Sequence, residues 1–289
     1  MRLRLLALFA AVLLAGPLAA APTWTVERDG APGKVLLLGS VHMLQPADLP
    51  LPGEVQAAYA RAGRVVLELA PQDLSPEAAQ AALQRIGVTA PGRSSRELLG
   101  EEDWRRAEGM AETAGVRAEA VAPLEPWFAA LVIYTGKLAG AGFDAALGVD
   151  RQVIEWSLRD GLPASGLETL EEQLMLFKGL DDEMQREILL KTLEESGTLP
   201  AETAALIAAW REGDIGALAA TLEQDFQHHA MLRDRLVGAR NRRWLPEVAA
   251  LLHEPGTSLV VVGALHLVGP EGLPALLEEA GFGVRRGLH

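Results

Sequence analysis

Two stretches near opposite ends of the chain decide the fold: Val35-Leu-Leu-Leu-Gly-Ser-Val-His-Met-Leu-Gln-Pro-Ala-Asp-Leu-Pro50 and Leu259-Val-Val-Val-Gly-Ala-Leu-His-Leu-Val-Gly-Pro-Glu-Gly-Leu-Pro274. They share one frame, a short apolar run followed by G-x-x-H-x-x-x-P-x-x-L-P, and His266 lies 224 residues after His42. A continuous run of Val and Leu ending in Gly reads as a buried strand of a parallel sheet, with the glycine permitting a tight turn. Groups just beyond the carboxyl ends of such strands face the crevice where open α/β sheets bind ligands. Two matched strands that could be neighbours would therefore bring His42 and His266 to one point. Taken singly, each histidine could equally be a turn residue bonded to backbone; as a matched pair they read as functional.

Working outward, Thr23 to Val26 reads as a short opening strand, Glu54 to Ala62 as a helix and Arg64 to Leu69 as a strand. This β-α-β unit predicts that the strands at 34–38 and 64–69 are parallel neighbours joined by a right-handed crossover. Helical spacing marks 76–86 and 101–115, while Arg117 to Val121 reads as a short strand. From Pro126 to about Leu252 the pattern is mostly helical, ending in a long helix from His228 to Trp244 and interrupted by a weak strand, Ala164 to Glu168. Leu259 to Val262, Leu273 to Ala280 and Gly283 to Arg286 follow as strand, helix and strand. The expectation is a mixed α/β (α+β) fold whose central, mainly parallel sheet is built from both chain ends, with a large helical insertion. No Ser/Gly linker divides residues 22–289, so one domain is the simpler account.

Composition limits the chemistry. The 289 residues include no cysteine, which removes disulfides, thiolate metal sites and thiol nucleophiles. With 39 acidic residues against 26 Lys and Arg, the formal charge of −13 argues against nucleic acid or anionic lipid as partner. Residues 1–21 have the two arginines, apolar run and small-residue end of a secretory signal, with cleavage after Ala20 or Ala21. Its removal would leave a periplasmic or secreted protein of charge −15. Trp127 to Tyr134, the other apolar stretch, is closed by Lys137 and reads as a buried helix rather than a membrane span.

Carboxylates at strand ends extend the candidate site. Glu68 interrupts the apolar run Val65-Val-Leu-Glu-Leu69, where an acid is costly unless paired, protonated or metal-bound. If its strand adjoins that of His42, the two side chains lie close; neutralising a buried arginine is the structural alternative. Glu168 either reaches the same rim or caps the helix after it. Arg240 and Asn241 lie on the long helix, and Arg240 either meets an anionic group or a developing oxyanion or is an ordinary salt-bridged residue. Asp150 is most simply a helix N-cap. His228, His229, His253 and His289 lack any such setting and read as surface residues.

Gly39-Ser-Val-His42, Pro50-Leu-Pro52, Glu68 after Val-Val-Leu, Gly148-Val-Asp150, Leu167-Glu-Thr-Leu-Glu-Glu-Gln173, Arg240-Asn241 and Val262-Gly-Ala-Leu-His-Leu-Val-Gly269 occur in order. Together they resemble the TraB/GumN (TraB/PrgY/GumN, Tiki-like) family over about residues 24–286. The resemblance implies a mixed α/β fold similar to erythromycin-esterase-like and ChaN-like proteins, with the paired GxxH motifs at the active site. From the Tiki branch it implies metal-dependent proteolysis of a peptide or small-molecule substrate, with His42, Glu68 and His266 as ligands. Mn, Co and Zn are all compatible with a His and carboxylate donor set. Glu168, or Glu68 if it is not a ligand, would be the general base, and Arg240 or Asn241 would steady the oxyanion. Two other classes fit the same residues: a metal-independent hydrolase with His42 as base oriented by Glu68, and a non-catalytic peptide- or haem-binding protein. Glu125 before Pro126-Trp127 departs from the basic or neutral residue the family leads one to expect, and would alter the charge of the rim.

Overall fold

The computed structural model describes residues 21–86, 89–227 and 229–289, so the signal at 1–21 falls almost wholly outside the described residues, as does His228. After β1 (Thr23–Glu27) and β2 (Gly33–Ser40), α1 (Gly53–Ala60) leads to β3 (Arg64–Leu69). Five helices follow: α2 (Pro76–Ile86), α3 (Ser95–Thr113), α4 (Ala118–Val121), α5 (Pro126–Gly140) and α6 (Val149–Asp160). The edge strand β4 (Ala164–Glu168) precedes α7 (Leu170–Lys178), α8 (Asp182–Glu195), α9 (Leu199–Glu212) and α10 (Ile215–Phe226). Next, α11 (Ala230–Arg233) runs through a π-helical turn, Asp234–Gly238, into α12 (Ala239–Ala250). The chain closes with β5 (Gly256–Gly263), α13 (Leu273–Glu279) and β6 (Gly283–Arg286).

The six strands run in the order β4-β3-β5-β2-β1-β6, the first four parallel and the last two antiparallel. The sheet is thus a mixed α/β sheet assembled from both chain ends around a helical insertion. One expectation needs correction: β2 and β3 are parallel but not neighbours, because β5 pairs with both. The Leu259-Val-Val-Val262 run is buried on both faces and along both edges, the environment that a strand without polar alternation requires. A second correction is α4, a single helical turn where Arg117 to Val121 reads as a strand. Its alanines and Glu119 favour helix, and only Val121 of the turn is buried, against α3 and α5.

The two GxxH strands pair one residue out of step with their sequence match, Gly39 opposite Val262 and Ser40 opposite Gly263. Because side chains alternate faces along a strand, matched residues of the two copies point to opposite sides of the sheet. Leu36 and Leu259 join one core layer with α1, α6, α9 and α10, and Val35 and Val260 join the other with α12 and α13. Helices α3, α4, α5 and α8 form a separate apolar cluster. The carboxyl ends of β2, β5, β3 and β4 therefore line up along one rim, roofed by α12 and the start of α6.

Candidate functional site

His42 follows β2 on a segment pinned to the chain before α6, since Val149 donates its amide to the Val41 carbonyl at 3.0 Å. Gly148 makes this approach possible; a Cβ there would lie 2.4 Å from the His42 carbonyl oxygen. The result is that Asp150 reaches the His42 ring, Oδ1 to Nδ1 at 3.2 Å. Asp150 is accordingly not the N-cap of α6, a position held by Gly148; it sits in the first turn and orients the histidine. Protein atoms crowd His42, yet 59% of its side chain stays open to the cleft. Burial opposes its charge, but the Asp150 and Glu68 carboxylates outweigh that and hold its pKa up at about 9.

That shift has a direct test. The imidazole is expected to titrate near 9 by NMR, and to fall back toward the ordinary 6.5 in Asp150→Asn. The pairing stabilises the fold fully below pH 6.5 and is lost as pH rises through about 9, so the wild-type advantage over the variant should vanish on the alkaline side. An unchanged midpoint in Asp150→Asn would remove Asp150 as the cause.

Glu68 and Glu168 enter from β3 and β4, and both are buried. Glu68 Oε1 accepts the Gly263 amide at 2.6 Å, while Oε2 accepts Arg240 Nη2 at 2.6 Å and Gln173 Nε2 at 3.1 Å. Glu168 accepts from Arg240 Nε at 3.0 Å, from Gln173 at 2.8 Å and from Arg243. It is not the cap of α7, a task that Thr169 performs by accepting the Glu172 amide. Burial alone would raise the Glu68 pKa, but the charge that His266 takes on only in acid, the charges of Arg240 and His42, and the Gly263 amide leave it well below the carboxylate range.

Arg240 is the hub of the cluster. Its Nη1 donates to the Leu236 carbonyl at 3.0 Å and to His266 Nε2 at 2.9 Å, and the remaining N–H groups go to Glu68 and Glu168. The guanidinium also stacks over Trp244, 4.6 Å from its ring centroid. All five donors are thus used within the protein. Asn241 is equally committed: its amide nitrogen donates to the carbonyls of His266 and Glu271, and its oxygen accepts His266 Nδ1 at 2.7 Å. Neither residue has a donor left for an oxyanion; both position their neighbours. His266 is consequently buried with both ring nitrogens bonded, and desolvation lowers its pKa to about 3, so it is neutral.

The fold brings His42, Glu68, Glu168, Arg240, Asn241 and His266 into one cluster. Its centre is an empty-sided glycine: a Cβ on Gly263 would lie 3.2 Å from Glu68 Oε1, 3.5 Å from His42 Nε2 and 3.6 Å from His266 Cδ2. Because β5 separates β2 from β3, Glu68 meets His42 across this bare position rather than from an adjacent strand. Three contributors were not among the site residues of the sequence reading. Gln173 bridges the two glutamates, and its signal was its place in the Leu167 to Gln173 motif. Asp150 was hidden by its helix-start context. Ser40, inside the first GxxH, has a buried Oγ with no hydrogen-bond partner among the described residues. Glu125 is buried beside Arg93 and Lys178 and does not line the cleft at His42 and Glu68, so it does not set the rim charge. Of the histidines read as surface residues, His253 and His289 are exposed, whereas His229 is partly buried against Glu187 at 3.3 Å.

For a metal ion, this donor set does not fit as arranged. His42 Nε2 and Glu68 Oε1 face the Gly263 position, but Arg240 occupies the His266 lone pair and places a cation beside it. Hydrolytic sites need three protein ligands, and no group of three or more His, Asp or Glu is poised for a metal among the described residues.

An α/β protein with two strand-end histidines, one solvated and one buried, meeting a strand-end glutamate and an arginine hub is the class that fold and site define. The TraB/PrgY/gumN family profile matches residues 22–286, and the chain belongs to that family. It is 25% identical over 261 residues to the uncharacterized protein YbaP of Escherichia coli (strain K12), covering 88% of this chain and 92% of YbaP. The YbaP of Shigella flexneri matches to the same extent. No solved structure matches the chain.

Proposed function

We propose that this chain is an exported, periplasmic or secreted hydrolase of carbonyl substrates, such as peptides or small amides, that works through His42 and Glu68 without a metal. The supporting observation is that a charged imidazolium and a carboxylate kept ionised face each other across the bare Gly263 position. In this reading the roles differ from those expected of a His base. Asp150 keeps the His42 proton in place, so at neutral pH His42 is the acid: it polarises the carbonyl and then protonates the leaving group. Glu68 Oε1 accepts the proton of the attacking water, and the three hydrogen bonds that the carboxylate takes from Gly263, Arg240 and Gln173 hold that oxygen in line. Glu168, Gln173, Arg240 and Asn241 act through these two by fixing Glu68 and His266. Export rests on the signal at residues 1–21; no helix among the described residues is long and apolar enough to cross a membrane.

A Mn, Co or Zn ion held by His42, Glu68 and His266 is the competing proposal, favoured by the convergence of these side chains on Gly263, and it requires Arg240 to release His266. A pool of short peptides and N-acyl amino acids incubated with the purified chain, with products read by mass spectrometry, tests both. Turnover indifferent to chelators is expected, falling at least about 100-fold in His42→Gln and in Glu68→Gln. With His42 as acid, kcat/KM should decline as pH rises through about 9. Activity abolished by chelators and restored by one of these ions would favour the metal, and no turnover across the pool would overturn the hydrolase.

A further inference from the structure

Two chambers meet at His42 and Glu68. The larger, about 560 Å³, is walled by apolar side chains including Leu131, Leu138, Phe177, Leu206, Ile207 and Phe226. Its charged lining groups, His42, Glu68 and Arg240, and the neutral His266 all belong to the cluster already described, so its body suits an uncharged, apolar group. The smaller, about 240 Å³, shares Ser40, His42, Glu68, Ala145 and Gln173 with the larger and is lined further by Asp150, Arg151 and Leu74. Four charged residues line it. His42 is paired with Asp150 and Glu68 with Arg240, while Arg151 has no carboxylate partner among the described residues. An unmatched guanidinium lining a small, partly open chamber is a receptor for a carboxylate.

Ser40 marks the seam. It is 2% exposed, lines both chambers and carries a hydroxyl with no partner. A buried hydroxyl left unbonded is unfavourable, and at this place a polar atom of a bound molecule would satisfy it.

We propose that the site takes an amide whose acyl half is apolar and whose amine half carries a carboxylate, as in an N-acyl amino acid or the C-terminal end of an apolar peptide. The acyl part fills the large chamber, the carboxylate meets Arg151, and the carbonyl oxygen accepts the Ser40 hydroxyl at the junction. This rests on the hydrolase reading for its chemistry. Water adds to the carbonyl carbon, the C–N bond breaks, Glu68 takes one water proton and His42 delivers one to the departing nitrogen. The products are a carboxylic acid and an amino acid, and the proton held by Glu68 restores His42.

Binding separates this inference from the hydrolase reading. Calorimetric titration of the full chain with N-decanoylglycine and its carboxamide should give at least about tenfold tighter binding of the acid. Arg151→Gln should bring the two within about twofold, with Arg151→Lys in between. N-acetyl-leucyl-leucylglycine against its own amide distinguishes a peptide from a lipid source of the same chemistry. Carboxamides that bind as tightly as acids, a preference that survives Arg151→Gln, or no binding by either pair would overturn the proposal. Discrimination without turnover would retain it and sink the hydrolase; turnover of acids and carboxamides alike would do the reverse.

Discussion

Replacing Arg240 with methionine is expected to destabilise the protein by about 3–5 kcal/mol, the usual cost of removing one partner from a buried ion cluster. Methionine preserves much of the side-chain length but leaves Glu68 and Glu168 with Gln173, Arg243 and one backbone amide as their remaining donors. It also frees His266 Nε2 and the Leu236 carbonyl. The cost has a pH signature. In the wild type the pKa of Glu68 is depressed, so its contribution is present above the ordinary value of 4.5 and is lost only as pH falls well below it. In the variant, desolvation dominates and Glu68 protonates more easily, so the gap between the proteins should narrow from pH 7 toward pH 4. Adding Glu68→Gln to the variant should recover part of the loss, because an unpaired buried charge is removed. Chemical denaturation at these two pH values checks it; a loss under about 1 kcal/mol at pH 7 would mean that Arg240 is not the hub.

Gly263→Ala is expected to remove activity while leaving the fold largely intact. Gly263 does not have a positive φ, so alanine meets no backbone penalty there, and overpacking costs of order 1–3 kcal/mol. The new methyl would stand 3.2 Å from Glu68 Oε1 and 3.5 Å from His42 Nε2, in the space that a water molecule or carbonyl group must enter. Excluding the reacting atoms from that point should lower kcat/KM by at least about 100-fold, comparable to deleting a group that touches the transition state. Thermal unfolding and kinetics on the same preparation separate the two effects. A fully active Gly263→Ala protein would place the reaction elsewhere.

How far the site could be read from sequence depended on what kind of contact each residue makes. The strands around His42 and His266 were legible because an unbroken Val/Leu run has few other fates, and Glu68 stood out as an acid within such a run. Strand order was less legible: the crossover through α1 fixes direction but not how many strands it passes, so the insertion of β5 between β2 and β3 left no local mark. Asp150 and Gln173 act across the rim on partners 108 and 105 residues away, and their immediate neighbours suggest only helix starts. For Arg240 and Asn241 the residue types were informative and the roles were not, since only the hydrogen-bond geometry reveals that every donor is already taken.

The stagger between the two GxxH strands has one more consequence. A perfectly repeated motif would build a near-symmetric pair of imidazoles, alike in environment and competing for the same proton. A slip of a single residue breaks that equivalence: one copy keeps its ring wet and charged, with its pKa raised, and the other has it dry and neutral, with its pKa lowered. The duplicated phrase is thereby turned into two different reagents, and the asymmetry that acid–base work demands comes from strand pairing rather than from any change in the motif itself.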